Sequence, residues 1–148
     1  MEERDSRRSP SEQVTKTKND IVNGSEPRKQ TPDTWKDPRT GLEWQCESAG
    51  EMSWHEALEY AKALSLDGKD DWRLPSALEL ETLLDRNSLF SRMRPVMREE
   101  VPFRDILTYW SSTTFEKHTN NAWVVMFDGA YVLSYYKSNS YYVRCVRG

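Results

Sequence analysis

Apolar and polar residues alternate over Leu42-Glu43-Trp44-Gln45-Cys46, the period-two pattern of a strand with one buried face, and the turn composition Asp37-Pro38-Arg39-Thr40-Gly41 leads into it. The period then changes. Ser53-Trp54-His55-Glu56 has the capping-box pattern, in which a serine oxygen accepts a backbone N–H while the glutamate reaches back to the cap. Trp54, Ala57, Leu58, Ala61 and Leu64 recur at helical spacing, so this segment predicts a helix with one buried stripe, Glu56, Glu59 and Lys62 outside it and Asp67-Gly68 ending it. A second capping box, Ser76-Ala77-Leu78-Glu79, follows Asp71-Trp72-Arg73-Leu74-Pro75 and predicts another short helix, its apolar face carried on by Leu80, Leu83 and Leu84.

Asn87 to Leu107 breaks the periodicity. Pro95 and Pro102 interrupt it and Arg92, Arg94, Arg98 and Arg104 stud it, so it reads as a long loop excursion of the kind that often carries function. Strands follow. Tyr109-Trp110-Ser111-Ser112-Thr113 is short, Ala122 to Phe127 is apolar on both faces as a central strand is, and Asp128-Gly129 predicts a two-residue hairpin turn into Tyr131 to Tyr135. Lys137-Ser138-Asn139-Ser140 turns again into Tyr141 to Arg147. Helices first and an antiparallel meander afterwards predict an α+β fold rather than a doubly wound parallel sheet.

Before Trp35 the chain offers almost nothing to bury: beyond Met1, only Val14, Ile21 and Val22 are aliphatic. Residues 1–34 therefore read as a disordered charged tail and residues 35–148 as one domain, since such a tail cannot offset its own ordering entropy. With 148 residues and a formal net charge of -3, the chain holds a single core and lacks the basic balance of a nucleic-acid binder. No apolar run approaches the roughly 20 residues of a membrane span, so no membrane insertion is expected. The charged start Met1-Glu2-Glu3-Arg4 has no apolar stretch behind it, and by that criterion the chain is cytoplasmic.

Taken together, Gly41-Leu42-Glu43-Trp44, the helix around Glu56-Ala57-Leu58, Asp71-Trp72-Arg73-Leu74-Pro75, Tyr109 to Thr113, Ala122 to Phe127 and Lys137 to Gly148 form a specific set, in order and spacing. In these blocks the chain resembles the family named after the C-terminal domain of the Legionella collagen-like adhesin, the Lcl C-terminal domain family. The resemblance implies a C-type lectin-like fold, two short helices plus a mainly antiparallel sheet with a long loop excursion, in a bacterial adhesion or recognition module. It also implies an exported or cell-surface setting, against the cytoplasmic reading. The family often carries a cysteine in its first helix; here that position holds Ala61, leaving Cys145 without its customary partner. In lectin-like domains the first and last strands pair antiparallel, which sets Cys46 opposite Tyr141-Tyr142 and Cys145 opposite Gly41-Leu42, roughly 13 Å apart at about 3.3 Å per residue. Both thiols are then expected to be reduced.

Trp72, Trp110 and Trp123 read as core residues, each with an indole N–H that needs a partner. Arg73 and Arg144, in aromatic surroundings, read as ion-paired or ring-stacked, with Asp71 one candidate partner. Calcium-dependent sugar binding uses Glu-Pro-Asn or Gln-Pro-Asp and Trp-Asn-Asp segments, none of which occurs, and Cys46, Cys145, His55 and His118 lack zinc spacing, so neither metal nor cofactor is expected. Ser111-Ser112 has no nucleophile elbow. A catalyst like the formylglycine-generating enzymes, which share the lectin-like fold, would need two cysteines close together.

A non-enzymatic module that binds a glycan or protein surface is the preferred reading, with an assembly module as the alternative. Arginine forks suit sulfate and carboxylate groups, and the segments Asn87 to Leu107 and Phe115 to Asn121 flank one strand in sequence. The predicted ligand-binding residues are Arg92, Arg94, Arg98, Arg104, Lys117 and Asn120, with His118 and Asn121 beside them, facing an anionic glycan or a protein ligand. Equally, each charge reads as a solvated loop residue. Tyr135-Tyr136 and Tyr141-Tyr142 frame the Lys137 turn, and strand alternation sends one tyrosine of each pair inward.

Overall fold

A computed structural model describes residues 32–86 and 96–148. Strand β1 (Thr34–Lys36) precedes β2 (Glu43–Gln45) and β3 (Glu51–Met52). Helices α1 (Trp54–Ala63) and α2 (Ala77–Glu81) follow, then the short strands β4 (Leu84–Asp85) and β5 (Val96–Met97). The C-terminal half adds β6 (Thr108–Thr114), β7 (Asn121–Met126), β8 (Tyr131–Tyr136), β9 (Tyr141–Tyr142) and β10 (Val146–Arg147). The architecture is α+β. Among the described residues three sheets form, in the orders β1-β2-β10, β3-β9-β6-β7-β8 and β4-β5, and there every pairing is antiparallel except that of β6 with β9. No helix among the described residues is long and apolar enough to cross a membrane.

Both capping boxes form as the sequence predicts. Ser53 Oγ accepts the Glu56 N–H while Glu56 Oε1 accepts the Ser53 N–H, and Ser76 and Glu79 do the same at α2. Trp54, Ala57 and Ala61 are the buried stripe of α1. The helix stops at Ala63, however, before Asp67-Gly68. Those two residues, with φ of 54° and 73°, are instead the centre of a tight turn closed by the Leu66–Lys69 bridge, and positive φ at both central positions is what a type I′ turn requires.

Other expectations shift. The described residues begin at 32, so most of the tail reading lies outside them, and Thr34 already pairs with Gln45 in β1. Part of the 87–107 excursion, Val96–Met97, is a strand on β4. The loop at Asp128-Gly129 has four residues, because Met126 and Tyr131 are the closing pair, and Ala130 joins Gly129 at positive φ. The meander also ends early. Tyr141 to Arg147 is two strands: β9 returns to lie between β3 and β6, and β10 joins β2 in another sheet.

The core is two apolar clusters. Trp44, Cys46, Tyr109, Val125, Phe127 and Val146 belong to one, and Trp54, Trp72, Trp110, Ala122, Val124 and Cys145 to the other. Val124 and Val125 are successive residues of β7, so the five-stranded sheet runs between the clusters. Buried arginines tie it to the loops. Arg144, 1% exposed, donates to the carbonyls of Gln45 and Cys46 and to Tyr109 Oη, pairs with Asp105 at 2.9 Å and stacks 3.7 Å from the Phe103 ring centroid. Arg73 forms a two-pronged pair with Glu79 at 2.8 and 2.9 Å, which draws the Glu79 carboxyl below its ordinary range, while Asp71 pairs with Arg147 instead.

The cysteine register needs correction. Val146 lies opposite Trp44 and Arg147 opposite Glu43, so Cys145 stands beside Gln45, whose N–H donates to its carbonyl at 2.9 Å. The two cysteines are close along the ladder. Neither is in a disulfide, because alternation turns Cys46 into one cluster and Cys145 into the other.

Candidate functional site

Three chain segments meet at the end of the five-stranded sheet where β6 hands over to β7. The β6–β7 turn is closed by its own backbone, with the Phe115 N–H on Asn121 O, the His118 N–H on Phe115 O and the Asn121 N–H on His118 O. The β8–β9 turn is stitched to it by the Lys137 N–H on Asn120 O at 2.7 Å, and the start of α1 is stitched to that turn by the Trp54 N–H on Lys137 O at 3.0 Å. Trp54 Nε1 donates to Ser111 O at 2.9 Å and so fixes α1 on β6. These bonds make the three segments one frame.

Aromatic contacts stiffen it. Phe115 lies edge-on to Trp123 at 5.0 Å and beside His118 at 5.9 Å, and His55 meets Trp54 edge-on at 5.1 Å. The Lys137 ammonium sits 4.0 Å from the Trp54 ring centroid, a cation–π contact that restricts a side chain otherwise free to roam. Of the tyrosine pair ahead of the turn, Tyr135 turns inward, 5.4 Å from Tyr141, and Tyr136 turns outward and is 64% exposed.

Two clefts open on this frame. One, of about 670 Å³, is lined by Ser53, His55, Thr119, Asn120, Tyr136, Lys137 and Ser138. The other, of about 530 Å³, is lined by Lys117, His118, Thr119, Asn120, Asn121 and Tyr136. None of these side chains is acidic. Two ammonium groups, amides, hydroxyls and imidazoles can bind the hydroxyl, sulfate or carboxylate oxygens of a polar ligand, and no carboxylate is present to hold calcium.

Of the predicted site residues, Lys117 and Asn120 line this surface, together with His118 and Asn121. The arginines do not join them. Arg92 and Arg94 lie outside the described residues. Arg98 is 2% exposed, and the reading of it as a ligand-facing cation is corrected: it forms a two-pronged pair with the fully buried Asp37 at 2.8 and 2.9 Å and donates to Thr82 O at 2.8 Å. Burial alone would raise the Asp37 carboxyl, but the Arg98 guanidinium and the Arg39 N–H outweigh it and hold the group below its ordinary value. Arg104 is exposed, yet its guanidinium donates to the carbonyls of Met97, Arg98 and Glu99 and so clamps its own loop.

The reason is the length of β6. Segments that flank a seven-residue strand leave it at opposite ends, roughly 20 Å apart at about 3.3 Å per residue. Arg104 precedes its first residue and Lys117 follows its last. The partners that actually join Asn120 come from elsewhere, Tyr136, Lys137 and Ser138 from the β8–β9 turn and Ser53 and His55 from the helix start, and of these Tyr136 also lines the cleft of Lys117. The tyrosine-flanked Lys137 turn carries a contact-loop composition that pointed to it, whereas Ser53 and His55 read only as a cap and a first-turn residue.

Cys145 and Ser111 are both taken up in the core. Burial pushes the Cys145 thiol up to about 12, far from thiolate at neutral pH. Ser111 Oγ, buried, donates to Trp123 O at 2.7 Å and accepts the Thr113 N–H. Among the described residues no three His, Cys, Asp or Glu side chains gather as a metal site would need.

The family model of the Lcl C-terminal domain matches residues 33–147 of the chain. No curated protein matches it.

Proposed function

The chain belongs to the Lcl C-terminal domain family, and from that premise we propose that it is a non-enzymatic recognition module that binds a glycan through the surface built by Lys117 to Asn121, Tyr136 to Ser138 and the start of α1. The observation that carries this reading is the acid-free polar lining of the two clefts around Tyr136. Amides and hydroxyls there match sugar hydroxyls, and Lys117 and Lys137 favour sugars that bear sulfate or carboxylate groups. A C-type lectin-like fold agrees with two capped helices ahead of a mostly antiparallel sheet and with the pairing of β2 to β10. The raised Cys145 thiol and the divergent cysteine side chains suit a binding role better than chemistry like that of the formylglycine-generating enzymes.

A glycan array of neutral, carboxylated and sulfated sugars tests the proposal. Specific hits should concentrate among the anionic sugars and weaken as salt rises, because exposed charges are screened beyond about 8 Å at physiological ionic strength. Lys117→Ala with Asn120→Ala should remove most of that binding, while stability changes by under about 0.5 kcal/mol per site, as is usual for exposed positions. Silence across the array, or undiminished binding by the double variant, rules the proposed surface out.

A further inference from the structure

The two clefts share three residues, Thr119, Asn120 and Tyr136, and that sharing has a chemical consequence. Tyr136 stands between them with most of its ring in solvent. Its alternation partner Tyr135 is taken up by Tyr141 and the core, whereas Tyr136 turns to the other face of β8 and stays 64% exposed opposite Asn121. An exposed tyrosine ring offers an apolar face to the C–H side of a sugar and a hydroxyl to its rim. On one side of it Lys137 is fixed by Trp54 and by the backbone bond to Asn120. On the other side lies Lys117. Each cleft alone, at about 670 and 530 Å³, already falls within the roughly 300 to 1,000 Å³ of sites that hold ligands larger than one sugar ring.

We infer that the two clefts are one groove with subsites on either side of Tyr136, so that the ligand is an oligosaccharide engaged over several rings, stacked at its middle on that tyrosine, and not a single terminal sugar. The inference rests on the glycan reading and adds to it the minimum length of the ligand and the residue that reads it. Contacts strung along one chain reinforce each other because the second is made intramolecularly once the first is in place.

Sulfated malto-oligosaccharides of one to six rings, titrated calorimetrically into the full chain, provide the test. Affinity should climb by more than about tenfold between the one-ring and the four-ring sugar and level off beyond. Tyr136→Ala should remove most of that climb by weakening the four-ring sugar far more than the one-ring sugar, and Tyr136→Phe should keep it; melting temperatures should not move, since the ring is exposed. The Tyr136→Ala arm separates stacking from the extra charge that a longer sulfated chain brings. Equal affinity at all lengths, or a climb untouched by Tyr136→Ala, overturns the inference and leaves glycan binding standing. No binding at any length overturns both.

Discussion

Arg98→Ala is expected to destabilise the domain severely and leave ligand binding by the folded fraction intact. The substitution removes both prongs of the pair with Asp37 and the bond to Thr82 O, and it strands a carboxylate with no exposed surface. Breaking a buried pair from one side costs about 3 to 5 kcal/mol, because the surviving charge keeps its desolvation penalty. Against a total stability of about 5 to 15 kcal/mol for an ordinary domain, that is roughly a fifth or more.

The pH profile makes the test specific. In the parent, Asp37 is held below its unfolded value of 3.8, so the folded state binds fewer protons and the contribution of the pair is complete above about pH 4 and fades as pH falls through the depressed folded value. In Arg98→Ala the sign reverses: burial without a cation raises the carboxyl, so the defect is greatest at neutral pH and eases as acid protonates the group. Urea unfolding followed by tryptophan emission at pH 7, pH 5 and about pH 3 measures both effects. The double change Asp37→Leu with Arg98→Met should recover most of the loss, since an apolar pair carries no stranded charge. A loss under about 1 kcal/mol at pH 7, with a pH profile parallel to the parent's, would refute the buried pair.

Trp110→Ala should cost about 3 to 5 kcal/mol in the same unfolding assay, because the indole is fully buried and its Nε1 donates to Met52 O at 2.8 Å. Trp123→Ala should cost less, about 1 to 2 kcal/mol, since that ring is half-buried against Phe115; equal losses would show that the two are packed alike. Iodoacetamide should label neither cysteine rapidly in the native protein, given the burial of both and a Cys145 thiol pushed up to about 12. In denaturant without reductant, intact mass should show two labels, and a disulfide-linked product would contradict the opposed side-chain directions.

Features carried by a few neighbouring residues were legible in the sequence. Both helix starts follow from Ser-x-x-Glu, and the tryptophans at 72 and 110 are core as their size demands. Pairings between distant residues were not. Nothing local couples Asp37 to Arg98, and a fully buried arginine looks, in sequence, like any other charge in a polar loop. Nor does strand pattern reveal which sheet a strand enters: Tyr141 to Arg147 reads as one strand, yet the three residues between its ends carry it from one sheet to another. For the candidate site, Lys117 and Asn120 were visible as polar turn residues. Their true neighbours were hidden, because a turn shows its composition and not the direction in which its strand delivers it.

The order β1-β2-β10 also has a mechanical meaning. Lys36 and Arg147 both lie opposite Glu43, and Thr34 lies opposite Gln45, so the outer strands of this sheet run the same way and are bridged by one that runs against them. Tension applied at Thr34 and Arg147 therefore pulls the outer strands past the middle one, along its length and in opposite directions. The ladder bonds then share the load at once instead of opening one after another as a zipper does. Stretched between those two residues, the sheet would resist extension, and the same residues pulled sideways would give way at lower force.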